Sequence, residues 1–148
     1  MKKFYIASDH AGFEMKQALI EYLKSKGCDV ADMGPADASR VDYPDYARKV
    51  ATEVVKDAEA SGILVCGTGI GISIAANKVA GVRAALCHDA YTAGMARAHN
   101  NANVLCMGAR VVGLGVAESM IDAWLSTAFE GGRHADRVNK IESCGVFL

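Results

Sequence analysis

The sequence lacks an excess of charge of either sign, and it lacks any long hydrophobic run. Sixteen Lys and Arg residues stand against seventeen Asp and Glu, which gives a net charge of −1. That balance argues against a protein that binds nucleic acids through a general attraction to phosphates. No apolar run approaches the roughly 18 residues of a membrane span. The N-terminal run 4–7 is also too short for the apolar core of a signal peptide. We therefore expect neither a nucleic-acid partner nor a membrane association.

The sequence also lacks the cysteine and histidine spacings that hold disulfides or metals. Its five cysteines are an odd number without a CxxC pair, which favours reduced thiols and a cytoplasmic location. None of the four histidines forms an HxH or HExxH pair, so we expect no metal. We likewise expect no cofactor. The cysteines are Cys28, Cys66, Cys87, Cys106 and Cys144.

Short apolar runs alternate with helical patterns along all 148 residues, a length typical of one domain. This alternation predicts an α/β fold, a three-layer α/β/α sandwich around a Rossmann-like, five-stranded parallel sheet. One domain is expected over residues 1–148, with a basic C-terminal tail over 129–148. Gly27, Asp42 and Asp89 stand where helix caps are expected. The predicted strands are Phe4–Ala7, Cys28–Met33, Ile63–Cys66, Val82–Leu86 and Val104–Met107.

Glycine is enriched, at about 10% against the usual ~7%, and three glycines alternate directly after the third predicted strand. Gly67, Gly69 and Gly71 precede a helix predicted over Ser73–Lys78. Free backbone N–H groups in such a loop attract an anion or a developing oxyanion. The loop is not a P-loop, because Thr68-Gly69 rather than Lys-Ser/Thr follows Gly67. It is not a dinucleotide fingerprint, because Ile72 or Ile74 stands at the third glycine position, nor a Cys-x5-Arg phosphatase loop, which would need Arg at position 72. A tight turn that only packs a helix against a strand remains an alternative.

Polar residues at the predicted strand ends are candidates for chemistry, because ligands of such sheets bind beyond the carboxyl ends of the strands. Cys66 precedes the N–H groups of the glycine loop, which favour a thiolate able to act as base or nucleophile. His10 follows Asp9 at the end of the first strand. Arg133 and Arg137, four residues apart, form either a phosphate clamp or a solvated basic tail. Arg110, after the fifth strand, has the same two interpretations.

Seven stretches together resemble the ribose-5-phosphate isomerase B family, within the wider group of sugar-phosphate isomerases, over nearly the whole chain. The family has one version with cysteine at the end of the third strand and another with a carboxylate farther along the loop. Ile74 and Ala75 offer no carboxylate, so the chain resembles the cysteine version. The stretches are Ser8–Phe13, Asp42–Pro44, Cys66–Lys78, His99–Asn100, Asn103–Leu105, Gly108–Gly113 and Glu130–Arg137.

The resemblance implies a metal-independent interconversion of D-ribose 5-phosphate and D-ribulose 5-phosphate through an enediolate, in the pentose phosphate pathway. It implies that Cys66 is the base that removes the proton next to the carbonyl, and that His99 opens the sugar ring. The remaining implied residues bind the substrate. They are the loop Gly67, Thr68, Gly69, Ile70 and Gly71 at the oxyanion, Asn100, Asp9 and His10 at the sugar, Tyr43 in the pocket, and Arg110, Arg133 and Arg137 at the phosphate.

Three other functions remain open from the sequence. One is an isomerase of six-carbon sugar phosphates, such as allose 6-phosphate or galactose 6-phosphate. The others are a non-catalytic nucleotide-binding module and a structural subunit; Cys66, His99 and the three arginines argue against the last. The predicted topology places Cys66 and His99 at opposite edges of the sheet. A homodimer with shared active sites, or a tetramer, is therefore expected. The expected small-molecule partner is a sugar phosphate.

Overall fold

The computed structural model describes residues 1–144 and has a central sheet of five parallel strands. The strands lie in the order β2-β1-β3-β5-β4 and are flanked by six helices. The strands are β1 Lys3–Ser8, β2 Asp29–Asp32, β3 Ala60–Cys66, β4 Ala84–Leu86 and β5 Val104–Gly108. The helices are α1 Phe13–Ser25, α2 Tyr43–Val54, α3 Ile70–Ala76, α4 Ala90–Asn100, α5 Leu114–Ser126 and α6 Arg133–Glu142.

Helices cover both faces of the sheet, which confirms the predicted α/β sandwich. The contacts group α1, α4 and α5 on one face and α2 and α3 on the other. Two apolar clusters follow from the alternation of side chains along β3: Ile63 and Val65 belong to the first face, Leu64 and Cys66 to the second. The chain moves in one direction along the sheet from β1 to β2 and in the other from β2 to β3. With right-handed crossovers, this reversal puts the connecting helices α1 and α2 on opposite faces of the sheet.

Two of the expected caps show how local sequence ends or begins a helix. Gly27 has φ +80°, and the N–H groups of Gly27 and Cys28 donate to the carbonyls of Lys24 and Leu23. This pattern is a Schellman motif, which glycine permits because it has no Cβ. At the start of α4, Asp89 Oδ1 accepts the backbone N–H of Thr92 at 2.7 Å. Asp42 lies at the N-cap of α2, although its side chain makes no capping hydrogen bond.

Several predicted boundaries were wrong. Strand β3 begins at Ala60 rather than Ile63, and β4 begins at Ala84 rather than Val82. Helix α3 begins at Ile70 rather than Ser73, because Gly69 adopts φ +81° and the chain enters the helix at once. No helix within residues 1–144 is long and apolar enough to cross a membrane.

The expected C-terminal tail over 129–148 is instead largely helical. Residues Arg133–Glu142 form α6, which packs on α4 through His134 and Val138. Its many charged residues suggested a solvated tail, but its two buried positions lie four residues apart on one face. Residues 145–148 of the predicted tail lie outside the described part of the chain.

The fold has a topological switch point between β1 and β3. The chain leaves β1 toward α1 on one face and leaves β3 toward α3 on the other. Loops that diverge to opposite faces open a crevice at the carboxyl ends of the two strands, where ligands of such folds bind. Asp9 and Gly67 are the first residues beyond these strands.

Candidate active site

The loop after β1 packs tightly against β3, which sets one wall of the crevice. The N–H of Asp9 donates to the carbonyl of Val65 at 3.1 Å, and Asp9 Oδ1 accepts the N–H of Gly12 at 3.1 Å. A Cβ on Gly12 would lie 2.6 Å from the Val65 carbonyl oxygen, so glycine permits this approach. The buried Asp9 carboxylate is therefore fixed beside the end of β3.

Cys66 ends β3 beneath the glycine loop, and its sulfur receives a backbone hydrogen bond. The N–H of Gly69 donates to Cys66 Sγ at 3.1 Å, and only 5% of Cys66 is exposed. A donor at this distance stabilises negative charge on sulfur. The sequence predicted this pairing of a thiol with the loop, and the structure brings the two together.

The loops after β3 and β5 meet closely enough to exclude side chains. A Cβ on Gly69 would lie 2.7 Å from the backbone of Met107, and one on Gly108 would lie 2.5 Å from the backbone of Thr68. Backbone hydrogen bonds join the two loops at 2.9 and 3.0 Å. Their donors are Ala109 and Arg110, and their acceptors are the carbonyls of Cys66 and Gly67. The backbone of the glycine loop is thus held in place by its contacts with the end of β5 and the loop that follows it.

Three further predicted residues border the same crevice. Nη1 of Arg110 lies 3.2 Å from where a Cβ on Gly67 would stand, so this guanidinium reaches over the loop. The ring of Tyr43 lies against Gly71, where a Cβ would approach it to 2.6 Å. His10 Nδ1 accepts the N–H of Val41 at 3.3 Å, so the proton of the neutral ring is on Nε2.

His99 and Asn100 lie at the other edge of the sheet. Helix α4 starts beside the carboxyl edge and runs back for 11 residues, a length of ~16 Å. Asn100, its last residue, comes shortly before Val104, which begins β5 and pairs with Gly62. Cys66 pairs with Gly108 at the opposite end of β5. One chain therefore does not bring Cys66 and His99 to a common point.

Arg133 and Arg137 accompany His99 rather than Cys66. Both lie on α6, where they are exposed and surround the buried His134. Burial lowers the pKa of His134, and the neighbouring His99, Arg133 and Arg137 lower it further, so its ring is neutral at neutral pH. Within residues 1–144, neither arginine pairs with a carboxylate.

Sequence reasoning gave no role to Glu130 and little weight to His134. The rings of His99 and His134 stack with centroids 4.1 Å apart and planes 9° apart. Glu130 Oε1 lies 3.8 Å from Nε2 of His99 and 3.6 Å from Nε2 of His134. The only local feature of the sequence that pointed to a Glu130–His134 contact was their spacing of four residues. The contact with His99 depends on how α6 docks.

These three side chains also place possible metal-ligand atoms within 4.8 Å of one another. Each imidazole, however, coordinates a metal in its own ring plane. Two rings stacked face to face cannot direct their nitrogens to one ion unless the stack breaks. The arrangement therefore fits a metal poorly.

The environments of the other cysteines differ from that of Cys66. Burial raises the pKa of the Cys28 thiol, raises that of Cys87 to about 11, and raises that of Cys106 well above its ordinary value. These three thiols are protonated at neutral pH and behave as apolar core groups. Cys144 is exposed.

We expect iodoacetamide to discriminate among these thiols. In a Cys144→Ser variant at pH 8, alkylation should be confined to Cys66, since the Gly69 N–H favours negative charge on its sulfur while burial holds the other three thiols protonated. Peptide mass spectrometry measures the site. Labelling of Cys87 or Cys106 at a rate similar to that of Cys66 would contradict this assignment.

Comparison with known proteins places the chain in a family. The Ribose/Galactose Isomerase family matches residues 4–141. The chain is 49% identical over 141 residues to ribose-5-phosphate isomerase B of Escherichia coli K12, covering 95% of each chain. The chain belongs to the Ribose/Galactose Isomerase family, which confirms the resemblance found in the sequence.

Solved structures agree with this placement. Trypanosoma brucei type B ribose 5-phosphate isomerase superimposes with a TM-score of 0.94 at 47% identity, over 98% of this chain and 99% of that one. Ribose-5-phosphate isomerase B of Mycoplasma genitalium, solved with bound ribulose 5-phosphate, gives a TM-score of 0.92 at 46% identity, over 95% and 94%.

Proposed function

We propose that this protein is an aldose-ketose isomerase that interconverts D-ribose 5-phosphate and D-ribulose 5-phosphate. Family membership supports the reaction class, and the relatives named above support the five-carbon substrate. The observation that carries the mechanism is the hydrogen bond from the Gly69 N–H to Cys66 Sγ at 3.1 Å. It places a hydrogen-bond donor where negative charge on this sulfur would be stabilised, at the switch-point crevice.

Cys66 is the base in this proposal. Its thiolate removes the proton from C2 of the open-chain aldose, the hydroxyl proton on O2 moves to O1, and the proton held on sulfur returns to C1 of the enediolate to give the ketose. The negative charge that develops on the substrate oxygen needs donors that are already oriented. The rigid backbone of the Gly67–Gly71 loop supplies them without reorganisation.

The proposed active site uses two chains. Cys66 and Arg110 form one half at the carboxyl edge, and His99, Asn100, Arg133 and Arg137 form the other half at the amino edge. A two-fold dimer brings the halves of two chains together twice, because an isologous interface repeats every contact. His99 of one chain then opens the sugar ring bound over Cys66 of the other.

Exposed apolar side chains around the Cys66 half support a covering second copy. They stand on α3, at the first turns of α4 and α5, and just after β5, and all three helices begin at the carboxyl edge. Apolar groups gathered around a polar crevice are typical of an interaction surface. A second copy also supplies the half-site that this edge lacks. The residues are Ile70, Ile74, Tyr91, Val111 and Leu114.

The three predicted arginines bind the phosphate in this arrangement. Arg110 comes from the chain that supplies Cys66, and Arg133 and Arg137 come from its partner. Asp9, His10, Tyr43 and Asn100 contact the sugar. A guanidinium holds a phosphate through paired charge-assisted hydrogen bonds, so it contributes to binding more than to proton transfer.

Arg137→Ala is therefore expected to raise KM for ribose 5-phosphate about 10-fold or more while kcat changes little, because one charge-assisted contact is worth ~1.5–3 kcal/mol. Steady-state kinetics measure both constants. Lys140→Ala, on the same helix, is the matched control and should leave KM unchanged. An unchanged KM for Arg137→Ala would mean that Arg137 is a solvated surface residue that does not bind the phosphate.

An assay with two substrates tests the function. The protein is incubated with ribose 5-phosphate or allose 6-phosphate in the presence of EDTA, and ketose formation is measured. We expect turnover of ribose 5-phosphate with a higher kcat/KM than that of the six-carbon substrate. A preference for allose 6-phosphate would assign the sister activity, and no turnover of either would refute the proposal.

A further inference from the structure

The segment Glu130–His134 is built onto the last turn of α4. The N–H of Glu130 donates to the carbonyl of Ala98 at 2.9 Å, which ties the segment to the turn that carries His99. Gly131 and Gly132 follow with φ +69° and +58°, a left-handed pair that turns the chain sharply. The N–H of His134 then donates to the carbonyl of Gly131 at 3.0 Å. The turn therefore delivers His134 directly over His99.

The imidazole of His99 is restrained on two sides by this segment. The His134 ring covers one face of it, 4.1 Å between centroids, and is itself almost fully buried. Glu130 Oε1 lies 3.8 Å from Nε2 of His99. The exposed fraction of the His99 side chain is 41%, so without these neighbours it would rotate freely in solvent.

We propose that His134 and Glu130 are positioning residues for His99. The stacked ring fixes the plane of the His99 imidazole, and the carboxylate attracts a protonated Nε2, which leaves Nδ1 available as a proton acceptor. This inference rests on the proposed function, in which His99 opens the sugar ring. A histidine that exchanges protons with a substrate needs a fixed orientation and tautomer, and neighbouring groups commonly set both.

The expected effect of losing either neighbour is on turnover rather than binding. His134→Ala should lower kcat for ribose 5-phosphate ~10- to 100-fold, because a mobile acid-base group is rarely aligned. His134→Phe retains a stackable ring and should recover most of that loss. Glu130→Gln keeps the shape and removes the charge, and it should lower kcat with little change in KM. Asp136→Asn, which removes a carboxylate from the first turn of α6, is the matched control.

A double-mutant cycle separates positioning from a general structural role. If His134 acts through His99, then adding His134→Ala to a His99→Ala variant should cost no further activity. Equal losses in the two backgrounds would overturn the inference. The inference would also be overturned if His134→Phe lost as much kcat as His134→Ala while Glu130→Gln kept the wild-type kcat.

A readout without substrate keeps this inference distinct from the proposed function. The nitrogen chemical shifts of His99 in protein with ¹⁵N-labelled histidine report its tautomer directly. We expect the Nε2–H tautomer to dominate in wild type and in Asp136→Asn, and a mixture of tautomers in Glu130→Gln. An unchanged tautomer population in Glu130→Gln would overturn the inference even if the enzyme is active. Inactive wild-type protein that shows the expected shifts would refute only the proposed function.

Discussion

Cys66→Ala is expected to lower kcat for ribose 5-phosphate by ~10²–10⁴-fold, the usual contribution of a positioned acid-base group. KM should change little, because the sulfur is almost fully buried and the phosphate is held elsewhere. Steady-state kinetics in both directions measure the loss. Cys66→Ser should lose nearly as much, since a serine hydroxyl is scarcely ionised at neutral pH, whereas the Gly69 N–H stabilises negative charge on the sulfur.

The remaining cysteines provide the control for this result. Cys144→Ser removes an exposed thiol and should retain wild-type turnover. Near-normal turnover in Cys66→Ala would mean that the base is elsewhere, and the buried Asp9 beside the end of β3 would then be the next candidate. Loss of activity in Cys144→Ser would show instead that the enzyme is sensitive to thiol substitution in general.

The sequence predicted the part of the site that local patterns encode. The thiol–glycine loop could be predicted because one short stretch, Cys66–Gly71, contains both the thiol and the donor N–H group. The strand ends that carry Asp9, His10 and Arg110 followed from hydrophobic runs that stop at polar residues. Their convergence at one edge follows from a parallel sheet alone.

The contacts of α6 could not be predicted in the same way. The helix Arg133–Glu142 has mostly polar residues, and only its two buried positions reveal a packed face. Whether His134 meets His99 depends on a turn made by Gly131 and Gly132 and on one backbone bond to α4. Such long-range geometry leaves no periodic trace in the sequence, so Glu130 was missed.

The separation of the two half-sites leads to the strongest test of the proposed assembly. Cys66 and His99 lie at opposite edges of the sheet, and the length of strand β5 alone separates these two edges by about 13 Å. If one substrate needs both residues, neither Cys66→Ala nor His99→Ala homodimers contain an intact site. A mixed dimer does, because one of its two sites takes Cys66 from one chain and His99 from the other.

Mixing the two inactive variants should therefore restore activity once subunits exchange. Random exchange of equal amounts makes half of the dimers mixed, each with one intact site of two, so the expected ceiling is about a quarter of wild-type activity. Exchange is verified by native mass spectrometry of chains with different tags. Cys66→Ala mixed with Cys66→Ser is the control, since no combination rebuilds a site. Proven exchange without recovery would contradict the shared site, because two variants that are each inactive stay inactive in a mixed dimer only if each site is completed within one chain.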